Sequence, residues 1–321
     1  MILKLFRACL AAIAFAAFSA NAQIYPSKVI KIVVPYPPGG STDIVGRYIG
    51  QKLQEVLNTP VIIDNKPGAG TNIGTESVVW SSPDGYTLLL ASFANGVNKS
   101  LFKNMKFDPT KELVGVSLIS LGSIIMAVPP DFPAKNVQEF IAASKAQPGK
   151  LNYGVGGAGS SAHLAGELFK SISGIAMEPV LYKGGAAALQ DLIAGRVHLI
   201  FDNPQILIPL EKAGRVKLLA VTGKDRAAYL PNLPTMMESG VGGYEIYSWY
   251  GLMAPAKTPP EVIKVLERAM EKIAAMPEVK AKFTELGISP IWSNSSAMTE
   301  FFLEENRKWE KVVKEANIQL E

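Results

Sequence analysis

The sequence predicts an α/β protein made of two successive α/β units with a ligand cleft between them. Three observations predict this. The chain has 321 residues, enough for about two domains at roughly 150 residues each. Apolar residues make up 48% and charged residues 19%, which supports a core in each unit and excludes general disorder. Short runs of Val, Ile and Leu alternate with amphipathic stretches, and the alternation runs through twice.

In the first unit, Val29–Pro35 reads as a buried strand and Ser41–Leu57 as a helix. Val61–Asp64 is a strand, Gly70–Ser81 a helix and Thr87–Ala91 a strand. This βαβαβ order predicts a parallel sheet covered on both faces. The second unit opens with a strand at Ile124–Val128 and a helix at Val137–Lys145. Leu151–Val155, Ser160–Ser173, Met177–Tyr182, Ala186–Ala194, Val197–Phe201, Ile206–Ala213 and Lys217–Thr222 then alternate strand and helix. A Pro- and Gly-rich loop, Leu230–Gly243, leads to a strand at Tyr247–Ala254. Helices at Pro259–Ala275, Glu278–Leu286 and Ser295–Asn317 form a tail expected to pack on the first unit. The expected organisation is therefore residues 23–124, residues 125–226, and a return to the first unit over 227–321. The second crossing falls near residue 226 or near Tyr247. No self-similar period of solenoid length is visible.

Residues 1–22 read as a cleavable secretory signal. Lys4 and Arg7 form a positive start, Ala8–Phe18 is apolar, and Ala20-Asn21-Ala22 fits the small-x-small cleavage rule before Gln23. The apolar run is too short to span a bilayer. Cleavage would remove Lys4 and Arg7, lowering the net charge of +4 by two, and would remove the single cysteine, Cys9. An exported chain of this kind relies on its core and not on disulfides. Its mild charge gives no basic patch for nucleic acid or membrane.

Three loops carry candidate chemistry. Tyr36-Pro37-Pro38-Gly39-Gly40-Ser41-Thr42-Asp43 joins the first strand to the first helix. Its glycines allow close backbone approach, and the free N–H groups at the helix start favour an anion. Gly154-Val155-Gly156-Gly157-Ala158-Gly159-Ser160-Ser161 is the matching turn of the second unit. It fits G-x-G-x-x-G formally, but the acid that a ribose would need is missing at the end of the next strand, which closes on Tyr182-Lys183. Asn65-Lys66-Pro67-Gly68-Ala69-Gly70 is a third helix-opening turn that can complete the first pocket. Each loop also reads as an ordinary βα turn, so the pair facing one cleft is the stronger signal.

Catalytic signatures are missing: the sequence has no G-x-S-x-G elbow and no Walker loop. His163 and His198 lack metal-ligand spacing and read as structural, with His163 also within reach of a ligand or loop carbonyl. Phe93, Tyr247, Trp249 and Tyr250 are aromatic candidates for lining the cleft, against a default of core packing for each, and Phe93 and Trp249 are the better candidates for touching a ligand. No cofactor and no metal is implied.

Many short pieces, in order along the whole mature chain, resemble one family. They include Val34-Pro35-Tyr36-Pro37-Pro38-Gly39-Gly40 with Asp43, Asn65-Lys66-Pro67-Gly68-Ala69-Gly70, and Pro83-Asp84-Gly85-Tyr86-Thr87. They continue with Ser160-Ser161 and His163, Tyr182-Lys183-Gly184-Gly185, Phe201-Asp202-Asn203, Leu219-Ala220-Val221-Thr222, and Trp249 with Gly251-Leu252. The chain resembles the substrate-binding proteins of the tripartite tricarboxylate transporter family, also called the Bug family. The resemblance implies a two-domain type II periplasmic binding fold, hinged on two crossing strands, that closes on an organic carboxylate. It places carboxylate binding on Pro38–Ser41 and Gly157–Ser161, including Gly159, through backbone amides more than arginine. It extends the binding set to Ser92, Tyr182, Lys183 and Asp202, with Phe93 selecting the ligand body. It implies a periplasmic monomer and two membrane permease subunits, one large and one small. A sensor that presents the same fold to a membrane kinase is the alternative, and a secreted enzyme is a third class.

Overall fold

The computed structural model describes residues 25–315. The signal expected over residues 1–22 lies outside them. Among the described residues, ten strands form two five-stranded sheets. The first holds β1 (Ile30–Val34), β2 (Val61–Asn65), β3 (Thr87–Ser92), β4 (Leu113–Ser123) and β10 (Tyr247–Pro255), in the order β2-β1-β3-β10-β4. The second holds β5 (Ile125–Val128), β6 (Asn152–Val155), β7 (Glu178–Leu181), β8 (Leu199–Asp202) and β9 (Lys217–Val221), in the order β7-β6-β8-β5-β9.

The two orders are the same pattern. In each sheet one strand runs against its neighbours: β10 is antiparallel to β3 and β4, and β5 is antiparallel to β8 and β9. Both sheets are therefore mixed, which corrects the purely parallel expectation. The reversed strand is each time the one laid down on arrival from the other sheet. Such a strand enters from the cleft side, where the parallel strands end.

The inner strands β1, β3 and β10 of the first sheet are buried on both faces, as continuous apolar runs require. Ile30, Ile32 and Val34 pack with Leu88 and Leu90 on one face of the first sheet, while Val33 joins Leu89 and Ala91 on the other. Helices cover these faces: α1 (Ser41–Leu57), α2 (Asn72–Val79), α3 (Phe93–Leu101), α4 (Pro109–Glu112), α5 (Val137–Ala146), α6 (Ser161–Ser173), α7 (Gly185–Ile193), α8 (Pro204–Lys212), α9 (Pro260–Ala275), α10 (Pro277–Glu285) and α11 (Ser295–Glu315). The tail returns to the first half, where α11 lies on β4 and α3. Helix α3 and strand β4 have no counterpart in the sequence expectations.

The chain passes between the sheets twice, at Ile124 and after Ile246; up to there it stays on the second half, where the Met236 N–H donates to the Val221 carbonyl at 2.9 Å and the Tyr244 hydroxyl to the Ala165 carbonyl at 2.9 Å. The two passages touch. Tyr247 pairs with Ser123 in register. Thr222, fully buried, sits between them. Its N–H donates to the Ile124 carbonyl at 3.0 Å and its carbonyl accepts from the Ile246 N–H at 3.1 Å. Its hydroxyl accepts from the Ile124 N–H at 3.0 Å and donates to the Ile246 carbonyl at 2.8 Å.

Candidate functional site

Parallel strands point their carboxyl ends into the space between the halves, where open α/β sheets bind ligands. A cavity of about 280 Å³ lies there. The first half lines it with Tyr36–Thr42, Ser92, Phe93, Ser248 and Tyr250. The second half lines it with Gly156, Ser160–Ala162, Lys183–Ala187, Leu189, Ile200–Asn203 and Ile206.

Five helices start at this wall: α1 at Ser41, α3 at Phe93, α6 at Ser161, α7 at Gly185 and α8 beside Asn203. Each helix start carries unpaired N–H groups and roughly half a positive charge. Two starts are satisfied by side chains. Ser92 and Asn95 form a capping box on α3, and the Ser160 hydroxyl accepts from the His163 N–H. The starts of α1, α7 and α8 have no side-chain cap. Their N–H groups face a cavity with one cationic side chain, the exposed Lys183. This arrangement attracts anions through the backbone.

The α1 loop is held from behind. Asp43 is buried; its Oδ2 accepts from the Gly39 N–H at 3.0 Å and from Arg47 Nε at 2.9 Å, and its Oδ1 accepts from Asn65 Nδ2 at 2.9 Å. Burial pushes this carboxyl up, but the Arg47, Gly39 and Asn65 contacts outweigh it and hold the group below the usual carboxylate range. Asn65 Nδ2 also donates to the Tyr36 carbonyl at 3.1 Å. Tyr36 presents its hydroxyl to Ser92 Oγ at 3.2 Å, and burial pushes that phenol up to about 12.

The two halves meet around the cavity. Asn203 Nδ2 donates to Ser41 Oγ at 3.1 Å, and Gln205 Nε2 donates to the Tyr250 hydroxyl at 3.2 Å. Gly70, in a left-handed conformation (φ +59°), faces the Ala158 carbonyl; a Cβ there would lie 3.1 Å from that oxygen and 2.7 Å from Phe102. Gly156 leaves no room for a side chain either, because a Cβ would come 2.5 Å from Gly185 Cα. A bulkier residue at Gly70 would hold the two halves apart, and one at Gly156 would push α7 off its own sheet.

Of the residues singled out from sequence, the structure brings Tyr36, Pro38, Gly39, Gly40, Ser41, Ser92, Phe93, Ser160, Ser161, Lys183 and Asp202 together on the cavity wall. Others stand behind it. His163 is buried, and its Nδ1 accepts from the Gly159 N–H at 3.2 Å, fixing the glycine loop; burial pushes its pKa down, so the ring is neutral. Gly157 lies against the Tyr36 ring, and Gly68 and Gly70 belong to the loop that meets Ala158. The Tyr182 hydroxyl donates to Asp191 Oδ2 at 2.6 Å, on the α7 side of the sheet.

Trp249 needs correction. It is fully buried, donates from Nε1 to Glu305 Oε2 at 3.2 Å and packs edge-on against Phe301, so it anchors α11 and does not reach the cavity. Its neighbour Tyr250 faces the cavity instead, because side chains alternate across a strand. Phe93 reaches the wall but is only 2% exposed, with its edge against Trp309, so it closes the cavity floor more than it offers a stacking face. Sequence reasoning ranked Tyr250 below Trp249 and Phe93, and did not single out Ser248, Asn203 or Ile206 as site residues. Asn203 stands in the quoted Phe201-Asp202-Asn203, and Tyr250 directly follows the quoted Trp249.

Two α/β halves of matching topology, linked by two touching passages and enclosing an anion-friendly cavity, are the architecture of a two-domain periplasmic binding protein, and solved periplasmic binding proteins share it. The chain belongs to the tripartite tricarboxylate transporter family of receptors, whose family model matches residues 45–318. BugT of Bordetella pertussis is 33% identical over 302 residues, covering 94% of this chain and 93% of BugT. A protein of R. palustris solved with adipate is 34% identical with a TM-score of 0.89, covering 92% of this chain and all of that one. MatC from Rhodopseudomonas palustris, solved with bound malate, is 27% identical with a TM-score of 0.83, covering 90% of this chain and all of MatC. This is a family of substrate-binding receptors of the periplasm.

Proposed function

We propose that the protein captures a small organic carboxylate in the periplasm and hands it to a tripartite-type membrane transporter with one large and one small permease subunit. One observation carries the reading: five helix starts converge on a single cavity, three of them without a side-chain cap. Their N–H groups replace the water that a carboxylate loses on entry. The ligand-binding residues are those of the loops Pro38–Ser41 and Ser160–Ser161, with Ser92, Lys183 and Asp202 beside them. Relatives solved with adipate and with malate support the same ligand class.

Closure follows from the linkage. Residues 25–123 and 247–315 form one body and residues 125–246 the other, and they swing about Ile124 and the Ile246–Tyr247 junction. The Asn203–Ser41 and Gln205–Tyr250 hydrogen bonds cross the cleft and hold the closed form. The transporter then reads the closed monomer.

Thermal unfolding of ligand-stripped protein against a panel of mono- and dicarboxylates tests the binding step. A ligand at about 100 times its Kd adds roughly 2.7 kcal/mol of stability. Melting curves that stay flat across the panel would refute it. Uptake of the identified acid, lost on deletion and restored by the intact gene, tests delivery; unchanged uptake would refute that step.

A further inference from the structure

Asp202 is the one acidic side chain among the described residues that line the cavity. It ends β8, and its Oδ1 accepts the Asn203 N–H at 2.7 Å. Its Oδ2 faces Gly185 at the start of α7, where an added Cβ would lie 3.5 Å away, in ordinary contact. Beside it, Asn203 Nδ2 donates to Ser41 Oγ, and Gln205 Nε2 donates to the Tyr250 hydroxyl. Lys183, the cavity's cation, is exposed at the rim. A carboxylate ligand in a cavity of this size brings a second negative charge close to Asp202. Two carboxylates in one small site repel unless a hydrogen lies between them.

We infer that Asp202 is a specificity-determining acceptor for a hydroxyl or ammonium group on the ligand, so that the protein selects hydroxy- or amino-substituted carboxylates over plain ones. This rests on the carboxylate reading above. The helix starts take the ligand's carboxylate, and Oδ2 takes the neighbouring donor. A ligand without that donor leaves a buried acceptor unpaired next to its own charge, which is the kind of mismatch that discriminates strongly. Burial pushes the Asp202 carboxyl up to about 6, with the Asn203 contacts only partly offsetting it, so the group is still an ionised acceptor at neutral pH.

Calorimetric titration of ligand-stripped protein at neutral pH tests this with matched sets: succinate, malate and aspartate, then adipate and 2-hydroxyadipate. In at least one set, the hydroxy or amino member should bind at least about tenfold tighter than the plain acid. In Asp202→Asn, the plain acid should gain affinity, closing the gap to within about threefold. Gly185→Ser keeps the charge but offers Oδ2 a hydroxyl, so it should also shrink the preference. Plain acids that match or beat their substituted partners in both sets overturn the inference, as does a preference that survives both variants. Failure of every acid to bind would remove the carboxylate reading itself; binding without discrimination removes only this inference.

Discussion

Replacing Thr222 by Val tests whether the touching passages are held by that one hydroxyl. Valine keeps the shape and removes the oxygen. The Ile124 N–H loses its partner at 3.0 Å and the Ile246 carbonyl loses its partner at 2.8 Å, while the Ile124 carbonyl keeps the Thr222 N–H. Each orphaned buried group costs about 1–3 kcal/mol, so the variant, with two of them, should lose about 2–6 kcal/mol. Thr222→Ser keeps the hydroxyl and loses one methyl, a cost of about 0.8 kcal/mol. Urea unfolding followed by fluorescence should show the Val midpoint well below the Ser midpoint, with unchanged slopes. A Val loss under about 0.5 kcal/mol, the range of ordinary surface changes, would refute the account of the hinge.

Other outcomes follow from the same geometry. Trp249→Ala should lower stability by about 3–5 kcal/mol while leaving carboxylate affinity unchanged in the folded fraction, read by denaturation and calorimetry. Ser41→Ala and Asn203→Ala should each weaken ligand binding by roughly 3- to 10-fold, through loss of a hydrogen bond worth about 1 kcal/mol, and small-angle scattering should report a more open free protein. Asp43→Ala should weaken binding although Asp43 is not on the wall, because Gly39 and Asn65 lose their common acceptor; affinity equal to wild type would contradict that role. Burial raises the Asp202 carboxyl from 3.8 to about 6, so the folded state favours its protonated form, and the stability present at low pH is lost as pH rises through about 6. Asp202→Asn should therefore gain up to about 3 kcal/mol over wild type at neutral pH and little below pH 4, measured by paired unfolding curves.

The regular elements were legible where the sequence repeats itself by period. Helix α1 over Ser41–Leu57 follows directly from its apolar spacing and its glycine-led start. Helix α3 was not legible, because Asn95, Gly96 and Asn98 are poor helix formers; its capping box and the burial of Phe93 and Val97 hold it. Strand β4 was hidden by the small residues Gly115, Ser117, Ser120 and Gly122; Gly115 lets α11 pack close, since a Cβ there would lie 2.6 Å from Met298. At the site, the glycine loops were readable as anion-binding turns. The parity of β10 was not: a strand buried on both faces gives no polar alternation to say that Tyr250 and not Trp249 faces the cleft.

The strand order also sets a timetable. The second sheet is built from one unbroken stretch, Ile125 to Val221, whereas the first waits for β10 to wedge between β3 and β4. A chain that emerges from its N-terminus can finish the second half while the first still has two unsealed edges and no centre. Until Tyr247–Pro255 arrives, β3 and β4 present bare hydrogen-bonding rims that invite pairing with strangers. The half that emerges first is thus the last to be completed, and that interval is when a holding chaperone has something to hold.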